Sequence, residues 1–383
     1  MTSMLRIRLM VAGGTAIACA LTACTSETDS TAPQPVSDAG RSEVRTALDA
    51  AVAAGYAGVQ VVVSEQGGQW AASAGKGNIE TGAEFPADAR VRIGSNTKTF
   101  VATVVMQLVA EGKVELDAPI ERYLPGVVQG EGVDGNRITV RNILQHTSGL
   151  PEYLELPELN SGDESLVYKH FDAADMVRSA LTTMSAHFPP GAKAEYSNTN
   201  YLLVGMLIEK VTGNPYADEV TRRITEPLGL QATYVPAWDD LGIRTPHPQG
   251  YEVVDGQRID MTQFPTSVAG AAGAMVSTGA ELNRFFTALL SGKLLPPAQL
   301  AEMRRDPKPL TNRAAGIDYA LGLAKLTVPC GKEVWGHGGS IPGFKTFDGV
   351  TAEGRAVAVL ANERTADATP AQHVFDTAIC AIP

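Results

Sequence analysis

The stretch VRIGSNTKTFVATVVMQLVAEG, residues 91–112, decides the fold of this chain. Apolar residues recur at helical spacing after Lys98, which predicts a buried helix that begins near Ser95 and ends before Gly112. Residues three positions apart share a helix face, so the hydroxyl of Ser95 and the amine of Lys98 can meet. Free N–H groups at the helix start favour an oxyanion there. The stretch therefore predicts a nucleophilic serine whose proton a buried lysine can accept.

The Ser-x-x-Lys pattern is weak when it is taken alone. A second match, from Ser73 to Lys76, lies at the end of a glycine-rich hairpin, where no helix would align the two side chains. A capping serine followed by a solvated lysine is the alternative interpretation of Ser95 and Lys98. Residues elsewhere in the chain are needed to decide between the two.

A second motif, YSN at 196–198, follows a Pro-Pro-Gly turn and immediately precedes an amphipathic helix. A phenol is a poor base at its reference pKa of about 10. Between Lys98 and a second positive or hydrogen-bonding group, the pKa of Tyr196 is expected to fall far enough for the phenolate to deprotonate Ser95. Asn198 can donate to a substrate amide or hold Lys98. A core tyrosine with a capping asparagine is the alternative.

A third motif, WGHGGS at 335–340, lies on a predicted strand. Its glycines allow a substrate backbone to approach the strand edge closely. The N–H of Ser340 is a candidate second oxyanion donor opposite the N–H of Ser95. His337 is expected to add a partly charged imidazole beside Tyr196. The predicted substrate-binding residues are Asn198, His337, Gly339 and Ser340.

These motifs, in this order, closely resemble those of the serine β-lactamase-like hydrolases, and most of all the D-alanyl-D-alanine carboxypeptidases and class C β-lactamases. The resemblance covers 42–383 and extends to LQHTSGL at 144–150, in which His146 matches a structural position. It implies that Ser95 is acylated and that other residues supply a general base, a general acid and an oxyanion hole. The implied base and acid are Lys98 and Tyr196, and the implied oxyanion hole is formed by the N–H groups of Ser95 and Ser340.

Two departures from the family pattern are expected to weaken recognition of a free carboxylate. The dedicated carboxypeptidases carry an arginine on the strand before the histidine motif, whereas Ala324 holds the matching position. Lys325 is adjacent, but on a strand it would face the other way. Gly338 replaces a hydroxyl residue. We predict a D-alanyl-D-alanine carboxypeptidase-like serine hydrolase; an esterase or β-lactamase of the same fold, or a slowly acylating penicillin-binding sensor, are the alternatives.

Strand patterns occur at both ends of the chain and helical patterns between them. The strand patterns span 59–63, 69–75, 319–328, 333–336, 343–350 and 355–360. This order predicts an α/β (α+β) fold, in which an antiparallel sheet built from both termini is flanked by the terminal helices. The catalytic domain is predicted to be 42–383, with a mostly helical lobe at roughly 113–265.

The N-terminus has the features of an export signal. Basic residues precede a short apolar run, and LTAC at 21–24 resembles a bacterial lipobox, which predicts a signal peptide at 1–23 and lipidation of Cys24. The alternative is an ordinary signal cleaved near Ala23. The polar segment 24–41 is predicted to be a flexible tether. We therefore expect an exported protein, either lipid-anchored at the outer face of a bacterial cytoplasmic membrane or secreted.

Two cysteines remain in the predicted domain, and in an exported protein they favour a disulfide between Cys330 and Cys380.

Several other classes of function are disfavoured. A net charge of -11 and a pI near 5.1 argue against nucleic acid as a partner. No Gly-x-Ser-x-Gly elbow occurs, which disfavours an α/β-hydrolase. No metal-ligand histidine spacing occurs either, so a metallo-hydrolase is unsupported and no metal or cofactor is predicted. The expected partner is a small-molecule or peptidoglycan-type acyl substrate, with membrane contact only through the lipid anchor.

Overall fold

The computed structural model describes residues 37–65, 68–160, 169–314, 316–365 and 367–381. The predicted signal peptide, Cys24 and the tether as far as residue 36 lie outside the described residues. Within those ranges, no helix combines the length and apolarity that a bilayer crossing requires.

An eight-stranded antiparallel sheet with the order β2-β1-β14-β13-β12-β11-β10-β9 dominates the described part of the chain. The strands are β1 (Gly58–Glu65), β2 (Gly68–Gly75), β3 (Val91–Arg92), β4 (Gln129–Gly130), β5 (Val133–Asp134), β6 (Tyr251–Val254), β7 (Gln257–Asp260), β8 (Val276–Ser277), β9 (Lys308–Pro309), β10 (Ile317–Tyr319), β11 (Ala324–Thr327), β12 (Glu333–Ile341), β13 (Phe344–Thr351), β14 (Ala356–Ala361) and β15 (Glu363–Arg364). Because β1 pairs with both β2 and β14, the prediction of one sheet built from both termini is confirmed.

Helices cover both faces of this sheet and form the lobe beside it. They are α1 (Asp38–Ala53), α2 (Thr97–Ala110), α3 (Val140–Leu144), α4 (Ala173–Thr183), α5 (Thr199–Thr212), α6 (Tyr216–Val220), α7 (Glu226–Leu228), α8 (Gly270–Gly273), α9 (Gly279–Leu290), α10 (Pro297–Met303) and α11 (Thr369–Cys380). The terminal helices α1 and α11 pack on one face, where Leu48 and Val374 join Val61 in a buried cluster. Helix α9 packs on the other face, and α2 and α5 continue that core into the lobe.

The boundaries differ from the predicted ones in three places. Helix α1 begins at Asp38 rather than near Ser42, because the side chain of Ser37 accepts a hydrogen bond from Gly40 N at 3.1 Å and caps it. The predicted strand 319–328 is two strands, divided by a turn at Gly322 with φ of +75°. The lobe also contains the hairpins β4–β5 and β6–β7, whose strands are too short for a periodic pattern to reveal.

The predicted disulfide is present, and it joins Cys330, just beyond β11, to Cys380 at the end of α11, 50 positions away.

Because closing a loop of this length restricts the unfolded chain, we expect the double substitution Cys330→Ala and Cys380→Ala to lower the free energy of unfolding by about 4 kcal/mol. Urea unfolding measures this loss. A reductant should destabilise the wild type by a similar amount and leave the double variant unaffected; equal unfolding midpoints for the two proteins would contradict the prediction.

Candidate active site

Ser95 lies at the start of a helix, against the strand that carries the histidine motif. Strand β3 leads into a 3₁₀ turn, Gly94–Asn96, and α2 continues from it. Gly94 has φ of +50°, and a Cβ there would lie 2.8 Å from the backbone nitrogen of Ser340. A side chain at this position would therefore push the turn away from β12. Glycine thus brings Ser95 and Ser340 to the same edge of the cleft.

The amine of Lys98 is fully buried and contacts three oxygen atoms. Its Nζ lies 3.0 Å from Ser95 Oγ, 2.7 Å from Asn198 Oδ1 and 2.6 Å from the carbonyl oxygen of Ala272. Burial lowers the pKa of Lys98 well below its ordinary value of 10.5, and the nearby Glu152 carboxylate opposes only part of this. A neutral amine has two N–H donors, which the amide and carbonyl oxygens take. Its lone pair then faces the hydroxyl proton of Ser95.

The orientation of Asn198 is fixed by Glu152, a residue that the sequence patterns did not reveal. The side-chain Nδ2 and the backbone N–H of Asn198 both donate to Glu152 Oε2, at 2.9 and 2.8 Å. Because the carboxylate occupies the amide nitrogen, the amide oxygen faces Lys98. Glu152 lies in a loop, just before the 3₁₀ turn Tyr153–Glu155, so no helical or strand spacing points to it.

The phenol of Tyr196 is buried and hydrogen-bonds to Ser95. The expectation that its pKa is lowered is wrong. Burial raises the pKa of Tyr196 above 10, and the bond to Ser95 and the guanidinium of Arg313 oppose only part of that rise. The amine of Lys98 lies 4.9 Å from the ring centroid, but burial remains the largest influence on the pKa of the phenol. Tyr196 therefore keeps its proton and can donate it.

His337 is neutral, so the expectation of a partly charged imidazole beside Tyr196 is also wrong. Burial lowers the pKa of His337 to about 3. Its Nδ1 lies 2.6 Å from the carbonyl oxygen of Gly338, so Nδ1 carries the proton, and Nε2 accepts from the hydroxyl of Tyr319 at 2.9 Å. The rings of His337 and Tyr196 have centroids 6.4 Å apart. His337 thus shapes the cleft wall through Tyr319 without adding charge to it.

His146 supports the Tyr196 segment from behind. Its ring lies 4.2 Å from the ring of Tyr196, centroid to centroid, and its Nδ1 accepts from the backbone N–H of Ser197 at 3.3 Å. The side chain is fully buried, and burial lowers its pKa well below 6.5. A neutral imidazole in this position has a packing function.

Strand β12 presents an open edge to the cleft along the histidine motif. Its pairing with β11 ends where Ala324 lies opposite Gly336, so from His337 onward that edge faces Ser95 rather than another strand. A Cβ on Gly339 would lie 2.0 Å from the carbonyl oxygen of Ile93, so only glycine allows this approach. The arrangement suits an extended substrate backbone, with the N–H groups of the predicted oxyanion hole at its end.

Sequence reasoning also missed a buried hydrogen-bonded cluster behind Ser95, formed by Asn96, Thr346 and Asp348. Asn96 Nδ2 donates to Thr346 Oγ1 at 2.6 Å and to Asp348 Oδ2 at 2.9 Å. Burial raises the pKa of Asp348 well above 3.8, and the hydrogen bond from Asn96 opposes only part of that rise. The cluster ties the 3₁₀ turn to β13. It thereby fixes the position of Ser95 relative to β12.

The cleft in front of these residues has a volume of about 960 Å³. Several aromatic and aliphatic side chains line it: Tyr153, Phe171, Phe264, Val268 and Ile341. Ala324 also lines the cleft, and Lys325 next to it is ion-paired with Glu333. The cleft therefore offers an apolar pocket beside Ser95, which suits a substrate with a bulky apolar side chain.

Fold and site together place the chain among the serine hydrolases, with the amine of Lys98 3.0 Å from Ser95 Oγ. The chain belongs to the beta-lactamase family, whose sequence model matches residues 44–378. This confirms the resemblance to the serine β-lactamase-like hydrolases that the three motifs indicated.

Several solved structures are similar over nearly the whole chain. A D-stereospecific amidohydrolase from Streptomyces sp. shares 39% sequence identity, with a TM-score of 0.82 over 89% of this chain and 99% of that one. A D-amino acid amidase from Ochrobactrum anthropi SV3 shares 30% identity, with a TM-score of 0.79 over 89% of this chain and 98% of that one. Penicillin-binding protein 4* from Bacillus subtilis is 29% identical over 67% of this chain, and the match spans only 56% of that relative.

Proposed function

We propose that this protein is a serine amidohydrolase that cleaves amide bonds at the carbonyl group of D-amino acid residues with apolar side chains. The observation that carries the proposal is that Ser95 Oγ contacts both Lys98 Nζ, whose pKa is lowered by burial, and the phenol of Tyr196, whose pKa is raised by burial. An amine is a poor leaving group until it gains a proton, so an acid beside the nucleophile favours amide substrates. The similarity to an amidohydrolase and an amidase supports the choice of D-residues.

In the proposed acylation step, Ser95 Oγ attacks the substrate carbonyl carbon while Lys98 Nζ accepts the hydroxyl proton. The oxyanion accepts hydrogen bonds from the backbone N–H groups of Ser95 and Ser340. Tyr196 donates its proton to the leaving nitrogen as the C–N bond breaks, and Lys98 returns a proton to the phenol. Water then attacks the ester on Ser95, which releases the acid and restores the hydroxyl.

The D-alanyl-D-alanine carboxypeptidase activity expected from the sequence is one form of this chemistry, in which the leaving amine is D-alanine. Esterase activity is the second candidate function. Ala324 favours it, because an uncharged alcohol leaving group needs no cation at that position. Anchoring of the enzyme at a bacterial membrane through Cys24 remains part of the proposal.

Initial rates with four substrates test the proposal: D-phenylalanine amide, L-phenylalanine amide, a D-alanyl-D-alanine peptide and p-nitrophenyl acetate. We expect kcat/KM for the D-amide to exceed that for the L-amide by about 100-fold, since the wrong enantiomer cannot fill the apolar pocket while its carbonyl lies at Ser95. Turnover of the ester without turnover of any D-amide or D-peptide would contradict the proposal and favour an esterase.

A further inference from the structure

Arg313 is an exposed cation above the phenol of Tyr196, at the mouth of the cleft. Its Cζ lies 4.3 Å from the ring centroid of Tyr196, and its Nη1 donates to the carbonyl oxygen of Asn312 at 3.1 Å. No carboxylate of the described residues forms an ion pair with it. The guanidinium therefore retains donors for an anion that enters the cleft.

The loop that carries Arg313 is fastened to the Tyr196 segment. Asn312 Oδ1 accepts from the backbone N–H of Tyr196 at 2.8 Å, and Asn312 Nδ2 donates to the carbonyl oxygen of Tyr196 at 3.0 Å. The backbone N–H and the hydroxyl of Thr311 both donate to the carbonyl oxygen of Ala194, at 2.9 and 3.0 Å. These four hydrogen bonds fix the loop against the Tyr196 segment. Arg313 is thereby held above Tyr196, the proposed proton donor to the leaving nitrogen.

The surface beneath Arg313 is apolar and small. Leu310 and Ala324 form a buried cluster with the ring of Tyr196, and Ile317 and Leu326 pack against it. The side chains of this cluster are uncharged, and the exposed guanidinium of Arg313 lies over its Tyr196 ring. A single amino acid matches this arrangement, with the amine at Tyr196, a small side chain on the apolar surface and the carboxylate outermost.

We infer that Arg313 binds the carboxylate of the leaving amino acid, so that the preferred substrates are peptides that end one residue after the cleaved bond. This inference rests on the proposed function and narrows its substrate class. It also reverses the sequence expectation that the loss of a cation at position 324 weakens carboxylate recognition, because a loop distant in sequence supplies the cation instead.

Two other cationic side chains line the cleft in the described ranges, and both suit this role less well. Arg364 is ion-paired with Glu252. Lys345 stacks on Phe347, with its Nζ 5.1 Å from the ring centroid, on the sheet face that α11 covers. Lys345 is nevertheless the competing candidate that the experiment must separate from Arg313.

The decisive measurement is equilibrium binding in a Ser95→Ala background, which does not depend on turnover. Calorimetry gives Kd for D-phenylalanyl-D-alanine and for the same dipeptide with a C-terminal amide. We expect the free acid to bind more tightly, and Arg313→Gln to reduce that preference by about 10- to 100-fold, the usual effect of losing a charge-assisted hydrogen bond. Arg313→Lys should retain part of the preference, because an ammonium group lacks the bidentate geometry.

Two control variants make the result specific. Arg178→Gln removes an exposed guanidinium on α4, far from the cleft, and should leave the preference for the free acid unchanged. Lys345→Gln tests the competing candidate. The inference is overturned if the acid binds no better than the amide, if Arg313→Gln keeps the preference, or if Lys345→Gln alone removes it. If the Ser95→Ala protein binds the two ligands as expected but the wild-type protein hydrolyses neither of them, the proposed function is refuted and the assignment of Arg313 stands.

Discussion

Replacing Ser95 with alanine is expected to abolish covalent labelling by a fluorophosphonate or a fluorescent penicillin, and to lower kcat for amide hydrolysis by at least about 10³-fold. The expectation follows from the position of Ser95 Oγ, 3.0 Å from Lys98 Nζ and in hydrogen-bond contact with Tyr196. In-gel fluorescence measures the labelling, and peptide mass spectrometry of the wild type identifies the modified residue.

The chain supplies a matched control in Ser73, which also stands three positions before a lysine. Ser73 lies on β2, and Lys76 is exposed and ion-paired with Glu84, so this pair has neither the helix nor the burial of the first. Ser73→Ala should label and turn over like the wild type. Label that persists in Ser95→Ala, or a modified peptide without residue 95, would show that the nucleophile is a different residue.

Lys98→Met is expected to lower kcat/KM by about 10²- to 10⁴-fold and to remove the acidic limb of its pH profile. Lys98 accepts a proton only when it is neutral. As pH falls through its lowered pKa, the amine becomes protonated and the wild-type rate falls. His337, with a pKa of about 3, is already neutral across the working range and does not produce this limb. Initial rates between pH 4 and 10 (the assay range) measure both effects.

Methionine also leaves Asn198 Oδ1 and the carbonyl oxygen of Ala272 without a donor, at roughly 1–3 kcal/mol each, so thermal unfolding must accompany the kinetics. Lys76→Met provides the control, as an exposed lysine whose loss should change neither rate nor profile. An acidic limb that survives at the same pH in folded Lys98→Met would assign the titration to another group.

The main features of the fold were predictable because they follow from local patterns. The β-branched run 59–63 forms most of β1, and the apolar stripe after Lys98 forms α2. Three motifs with distinctive residue types lie far apart in sequence, yet each has the local structure that brings its side chains to one cleft. The order of strands and helices then predicted a sheet built from both termini.

The missed features depend on contacts that no local pattern encodes. Glu152, Arg313 and Asp348 each act on the site from a loop or a strand, at separations with no helical or strand period. The direction of the pKa shifts of Tyr196 and His337 could not be predicted from the sequence either, because it depends on how deeply the folded chain buries each side chain. Sequence reasoning relied on positive charge near Tyr196 and His337, whereas in the folded chain burial dominates, raising the pKa of Tyr196 and lowering that of His337.

Strands β1 and β14 lie side by side within the main sheet, although the paired residues Val61 and Val359 are about 300 positions apart. At a synthesis rate of about 5–20 residues per second, the second strand leaves the ribosome roughly 15–60 s after the first. During that interval the hairpin of β1 and β2 lacks the strand β14 with which β1 pairs. Synthesis therefore imposes a delay on completion of the main sheet, however fast each part of the chain folds by itself.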